Sequence, residues 1–193
     1  MRYKAILFDM DGTLLDTLTD MADAVNHILS VHGWPLRTTE EVRAFVGNGA
    51  RRLMERAVPP EVTGGDFEAV LTEYRDWYQA HNCVATAPYP GIPALLAALA
   101  EAGVKTAVVS NKPDATTKTL AARFFPGLPA FGQRDDVPPK PAPDLVFRAL
   151  ETLGVDAAGA VYVGDSEVDV ATARNAGLPL AAVSWGFRGR RAL

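Results

Sequence analysis

Two carboxylates at alternate positions, Asp9 and Asp11, stand in the run Phe8-Asp9-Met10-Asp11-Gly12-Thr13. In extended backbone, alternate side chains share a side, so both acids are aimed the same way. At an effective dielectric of about 20, two unit charges about 4 Å apart repel by roughly 4 kcal/mol. Such a pair calls for a cation, a shared proton or separated roles. Gly12 permits a tight turn behind the acids, and Thr13 adds a hydroxyl donor. Alone, the run also fits a strand followed by an Asx-type turn. Three later groups of polar residues change the balance.

Two of these groups fall where buried strands should end. Val108-Val109 runs into Ser110-Asn111-Lys112, and Ala160-Val161-Tyr162-Val163 runs into Gly164-Asp165-Ser166-Glu167-Val168-Asp169. Between them lies Lys140-Pro141-Ala142-Pro143-Asp144, a cation on a stiff, proline-rich loop opening a helix. Taken singly, Ser110-Asn111 is a helix cap, Lys140 a solvated lysine, and Asp165 an N-cap with Asp169 on an exposed helix face. Their joint arrival at one edge of a sheet argues for a site. A carboxylate there can attack phosphorus and split hydrolysis into two easier steps, while a second acid protonates the leaving oxygen and then activates water. Grouped oxygen ligands suit Mg²⁺, and a hydroxyl with an ammonium group neutralises the transferring oxygens.

The elements that must position these groups alternate in type. Tyr3 to Phe8 reads as a buried strand, too short to span a membrane. Met21, Val25, Ile28 and Leu29 then mark a helix face stopped by Gly33. Thr38-Thr39 before Glu40-Glu41 starts a second helix, which Gly47-Asn48-Gly49 breaks, and Phe67, Val70, Leu71, Tyr74 and Tyr78 define a further one. From Leu15 to Thr86 the pattern is helical throughout, so an all-helical insertion is expected over 15–86. After the Pro88-Tyr89-Pro90-Gly91 hinge, helices and strands alternate: a face of Ile92, Leu95, Leu96 and Leu99, a strand 104–109, and helices over 114–125 and 143–153. Strand 160–163, helix 167–176 and strand 180–184 complete the series. Alternation with buried-type strands predicts an α/β fold with a doubly wound parallel sheet, formed by 1–14 and 87–193. Such sheets bind ligands beyond the carboxyl ends of their strands.

Composition narrows the class. The 193 residues can bury one sizeable core, and 48% hydrophobic with 22% charged residues is ordinary for a soluble globular chain. A net charge of −4 argues against non-specific nucleic-acid binding. Cys83 has no partner for an internal disulfide and is read as a packing residue in a reducing compartment. No charged n-region with an apolar stretch precedes Asp9, so a cytoplasmic location is expected.

Asp9-Met10-Asp11-Gly12-Thr13, Ser110-Asn111, Lys140 and Gly164-Asp165-Ser166-Glu167-Val168-Asp169 come in the order of the four motifs of the haloacid dehalogenase superfamily, which the chain closely resembles over nearly its whole length. The resemblance implies Asp9 as nucleophile and Mg²⁺ ligand, and Asp11 as general acid/base whose carbonyl also meets the metal. It implies that Thr13, Ser110, Asn111 and Lys140 hold the phosphoryl group, that Asp165 completes the metal site, and that Asp169 supports it from behind or through water. The helical block is similar to that family's small cap, and Val46-Gly47-Asn48-Gly49-Ala50 with Arg51 resembles the phosphoglycolate phosphatase branch. Asn48, Gly49 and Arg51 are therefore expected to meet the carboxylate of a small phosphorylated metabolite. Two departures are visible. The stretch 124–139 is compressed, with its usual strand faint around Ala130-Phe131. Relatives also continue with a strand and helix after the segment matching Trp185 to Arg188, so a shortened chain or a trimmed sheet edge is expected.

The leading expectation is a Mg²⁺-dependent phosphomonoesterase, monomer or homodimer, acting on 2-phosphoglycolate without nucleic-acid or membrane partners. A phosphatase of sugar phosphates, nucleotides or pyrophosphate, or a sugar phosphomutase, uses the same acids. A dehalogenase has no use for Asp11. From another class, a phospho-aspartate switch resembling a receiver domain would carry its aspartate on an internal strand, with no helical block interrupting the domain.

Overall fold

The computed structural model describes residues 2–188. Its centre is a five-stranded, all-parallel sheet in the order β5-β4-β1-β6-β7, with β1 (Ala5–Phe8), β4 (Lys105–Pro113), β5 (Ala130–Gln133), β6 (Ala160–Gly164) and β7 (Leu180–Ala182). The period of two along each strand decides which helix it meets. Leu7, Ala107, Val109 and Tyr162 pack on one face against α7 (Asp144–Leu153) and α8 (Glu167–Asn175). Phe8, Val108 and, just past the strand, Met10 pack on the other, with α5 (Ile92–Glu101) and α6 (Asp114–Phe124). Helices on both faces of a parallel sheet give the doubly wound architecture expected from the alternation. From β1 the chain supplies β4 and β5 on one side, then crosses to β6 and β7 on the other. The switch in winding direction therefore falls at β1, where such sheets bind ligands.

Between β1 and α5 the chain builds a second layer from α1 (Leu18–Val31), α2 (Thr39–Phe45), α3 (Gly49–Ala57) and α4 (Gly64–His81). These helices close a hydrophobic core of their own: Met21, Val25, Ile28 and Leu29 of α1 meet Leu53 and Met54 of α3 and Phe67, Val70, Leu71, Tyr74 and Tyr78 of α4. The start of α2 is a capping box, the Thr38 hydroxyl accepting from the Glu41 amide while the Glu41 carboxylate accepts from the Thr38 amide.

Two boundaries and one buried face differ from the sequence reading. Leu15–Asp16 is a short strand, β2, paired antiparallel with β3 (Ala87–Pro88), so the two crossings between layers run side by side as a ribbon. Two-residue strands carry no periodicity, which is why neither was legible. β4 continues past Val109 through Ser110 to Pro113 because β5 pairs with it there, at Pro113↔Gln133. Leu95 is exposed although it sits at helical spacing with Ile92 and Leu99; the buried stripe of α5 is narrower than the pattern. The faint strand at Ala130-Phe131 is present as β5. How the chain proceeds after Arg188 lies outside the described residues.

Candidate active site

β1 ends at Phe8, and the Asp9 amide continues the ladder to the Val163 carbonyl at 2.9 Å. The chain then folds back, with the amides of Leu14 and Leu15 both reaching the Met10 carbonyl at 3.0 Å. Gly12 sits at φ 80°, in the left-handed region that only glycine enters cheaply. A Cβ there would lie 2.4 Å from Asp165 Oδ2, and one on Gly186 would lie 2.3 Å from the same atom. Both glycines give Asp165 its place. Asp9 and Asp11 emerge on one cavity, with Met10 buried between them on the opposite side.

Lys140 is the cation of this floor. Its Nζ lies 2.9 Å from Asp9 Oδ1 and 2.8 Å from Asp169 Oδ1, and it donates to the Tyr162 hydroxyl at 3.0 Å. Asn111 fixes the loop that carries it: Asn111 Oδ1 accepts from the Lys140 amide at 2.7 Å, and Nδ2 donates to the Lys140 carbonyl at 3.0 Å. Burial would push the Lys140 pKa down, but the facing Asp169 and Asp9 carboxylates outweigh it and hold the ammonium charged. The same carboxylates leave an excess of negative charge. Burial first, then Asp169, Asp165 and Asp11, push Asp9 well above the usual range against the pull of Lys140. Asp165 is pushed up to about 6, chiefly by burial.

Oxygen atoms of Asp9, Asp165 and Asp169 lie within 4.8 Å of one another. Three buried carboxylates offering hard oxygen donors, two of them, Asp9 and Asp165, with raised pKa values, fit a divalent cation such as Mg²⁺. Asp169 is already engaged on both oxygens, Oδ1 by Lys140 and Oδ2 by the Ser166 amide at 3.1 Å and hydroxyl at 2.6 Å. It is better placed to orient Lys140 and Ser166 than to ligate. Asp165 Oδ2 accepts from the Phe187 amide at 2.7 Å, leaving Oδ1 with only a long 3.4 Å bond from Thr13.

Several predicted residues stand elsewhere than expected. Thr13 is fully buried and outside the cavity lining, its hydroxyl donating to Asp165 Oδ1 at a long 3.4 Å. Asn111 lines the cavity, and its side chain is bonded to the Lys140 loop and, at 3.3 Å, to the Gly47 carbonyl of the helical layer. Ser110 does line the cavity, its Oγ accepting from the Lys112 amide at 3.2 Å. Gly49 also lines it, at the first turn of α3. Asn48 turns to Arg56 at 3.4 Å, and Arg51 forms a two-pronged pair with Glu68 at 2.7 and 2.8 Å, over the Phe67 ring. Arg51 therefore lies on the outer face of the layer. The helical pattern of α3 cannot say which face its arginines take, because that depends on where α4 packs.

The cavity above the acids holds about 320 Å³, walled by Met21, Val46, Leu53 and Tyr74 of the helical layer. Four contacts cross between layers around it: Asn111 to Gly47, Lys112 to Tyr78, Thr116 to Gln79, and Arg188, which donates to the Arg43 carbonyl at 2.7 Å and to that of Val46. Lys112, Tyr78, Arg75 and Arg188 were not singled out from sequence. For Lys112 a signal existed, its place directly after Ser110-Asn111; Tyr78 read as plain helix core.

This arrangement of acids, lysine and sheet ends defines a class. The chain belongs to the haloacid dehalogenase-like hydrolases, whose family description matches residues 6–183, and its relatives make it a phosphoric monoester hydrolase. It is 35% identical over 195 residues to the N-acetylmuramic acid 6-phosphate phosphatase of Pseudomonas aeruginosa, covering 97% of this chain and 84% of that protein. To the phosphoglycolate phosphatase of Xanthomonas campestris pv. campestris it is 36% identical over 199 residues, covering 97% and 86%. Among solved structures, a protein of Lactobacillus delbrueckii subsp. bulgaricus with a provisional phosphoglycolate phosphatase assignment superposes with a TM-score of 0.93 at 36% identity, over 100% of this chain and 90% of that one. CbbY of Rhodobacter sphaeroides, solved in complex with phosphate, gives 0.75 at 25% identity, over 98% and 90%. No helix among the described residues is long and apolar enough to cross a membrane.

Proposed function

We propose that the chain hydrolyses a small phosphorylated carboxylic acid, 2-phosphoglycolate first among them, through a phosphoaspartate on Asp9. The observation that carries the reading is Asp9 at the floor of the cavity, 2.9 Å from buried Lys140 and beside a second cavity-lining acid, Asp11. An Asp9 carboxylate oxygen attacks phosphorus, the ester P–O bond breaks, and its electron pair leaves on the alcohol oxygen, which takes the Asp11 proton. Water then attacks phosphorus and gives a proton back to Asp11. The P–O bond to Asp9 breaks, restoring the carboxylate and releasing phosphate. Lys140 and Ser110 offset charge on the phosphoryl oxygens. Asp9, Asp165 and the Asp11 carbonyl would hold Mg²⁺, which when bound supplies Lewis-acid stabilisation of the transferring group. The helical layer over 15–86 acts as a cap that excludes water, and its walls choose the leaving group.

The cavity volume favours a second substrate of the same type. At about 320 Å³ with apolar walls it offers room beyond a two-carbon acid. A phosphorylated sugar acid, of the kind the Pseudomonas aeruginosa relative is named for, suits that space. Steady-state hydrolysis of both acids, a neutral sugar phosphate, a nucleotide and pyrophosphate, with Mg²⁺ and with chelator, is the direct test. Preference for the acids is expected, with activity lost in chelator and in Asp9→Asn. Substantial turnover by pure Asp9→Asn would sink the nucleophile assignment, and equal rates across the panel would sink the carboxylate preference.

A further inference from the structure

Lys112 is the strongest unassigned feature of the site. It is only 5% exposed, yet it carries an ammonium group into the interface between the layers. Its Nζ lies 3.2 Å from Asp11 Oδ1 and donates to the Tyr78 hydroxyl at 2.7 Å, with the Tyr78 ring centroid 4.5 Å away. Tyr78 belongs to α4, Lys112 to β4, and Asp11 to the turn after β1. One side chain thus joins the helical layer, the sheet and the second acid. A buried ammonium is costly unless paired, so Asp11 and Tyr78 together hold it in one place.

The geometry at Asp11 has a direction. The Thr17 hydroxyl donates to Asp11 Oδ1 at 2.7 Å, and Lys112 approaches the same oxygen. Among the described residues, Oδ2 has no hydrogen-bond partner. One hydroxyl donor and one ammonium ion pair on Oδ1 fix the rotation of the carboxyl group and leave Oδ2 as the oxygen able to carry a proton toward the cavity, which Asp11 lines. We propose that Lys112 is a positioning residue: seated by Tyr78 when α4 lies over the cavity, it turns Asp11 so that Oδ2 faces the leaving oxygen. The inference rests on the reading of Asp11 as general acid. It makes proton delivery depend on the helical layer being in place, so that an ester is cleaved only beneath it.

The dependence on leaving group separates this role from a structural one. An alkoxide leaving group needs the Asp11 proton as its P–O bond breaks, whereas 4-nitrophenolate leaves with little help. Values of kcat/KM for 2-phosphoglycolate and 4-nitrophenyl phosphate should be compared in Tyr78→Phe, Lys112→Met and Asp11→Asn. Tyr78→Phe keeps the ring and deletes only the hydroxyl, so it decides the matter should Lys112→Met fail to fold. General acid catalysis contributes typically 10²- to 10⁴-fold, so a misdirected acid is expected to cost the alkyl ester about tenfold more than the aryl ester. Asp11→Asn must show the same selectivity, and more strongly. Equal losses on both esters in Tyr78→Phe and Lys112→Met, or no loss on either, would overturn the positioning role. If Asp11→Asn itself loses equally on both esters, the assignment of Asp11 as acid fails instead.

Discussion

Lys140 stands between Asp9 and Asp169, so the charge balance around those two acids turns on one side chain. Removing one partner of a buried pair leaves uncompensated charge and costs about 3–5 kcal/mol. Lys140→Met should lower the unfolding midpoint clearly and reduce kcat/KM by about 100-fold or more, the scale of deleting one stabilising donor. Arg51 makes the opposite case. Its pair with Glu68 is exposed, and such pairs contribute about 0.2–1 kcal/mol. Arg51→Ala is expected to leave kcat/KM for 2-phosphoglycolate at the wild-type level, with a marginal change in stability. A loss confined to carboxylate-bearing substrates would return Arg51 to the site.

Elements set where those side chains arrive, and the joint between layers is held by Asp20. From the first turn of α1, its carboxylate accepts from the amides of Val84, Ala85 and Thr86 at 3.0, 2.8 and 2.9 Å, fastening the return crossing beside the outgoing one. Asp20 is itself buried, and among the described residues its carboxylate is hydrogen-bonded to these three amides. An orphaned buried donor costs about 1–3 kcal/mol, so Asp20→Ala should lose about 3 kcal/mol in urea denaturation. A loss under about 1 kcal/mol would show that water replaces the carboxylate without penalty. Arg188 works from the other end, its guanidinium holding two carbonyls at and after the C-terminus of α2 and its Nε 3.2 Å from Glu167.

At the scale of the whole molecule, the buried acids link stability to pH and, on the proposed reading, to Mg²⁺. The Asp165 pKa is raised from 3.8 to about 6 in the folded state, and Asp9 is raised as well. A raised carboxyl binds more protons folded than unfolded, so its contribution is full below about pH 4 and is lost as pH rises through about 6. At 1.36 kcal/mol per pKa unit, Asp165 accounts for about 3 kcal/mol of that loss. In chelator, thermal unfolding should therefore show wild type losing stability relative to Asp165→Asn between about pH 4 and 7. Mg²⁺ should restore wild type at pH 7, because ligand binding to the folded state alone stabilises it. Parallel pH profiles for the two proteins in chelator would refute the linkage.

Periodicity and strand-end polarity were enough for the sheet, the helical insertion and the acids at the floor, because each is set by local spacing: Asp9 and Asp11 two apart, Phe67 to Tyr78 on one helical stripe, Asp165 directly after a buried run. Residues whose place depends on a second element were not legible. Nothing local distinguishes Arg51, paired outward with Glu68, from an arginine facing the cavity, nor Tyr78 as core filler from Tyr78 as the partner of Lys112. The ribbon of Leu15–Asp16 with Ala87–Pro88 joins residues far apart in sequence, through strands too short to carry a period. That the Thr13 hydroxyl meets Asp165 was not legible either, because the turn at Gly12 brings those two together only once β1 and β6 are paired. Sequence spacing determines which side of its own element a group takes; what it meets there is decided when the layers close, since burial and partner charge come from the other chain segment.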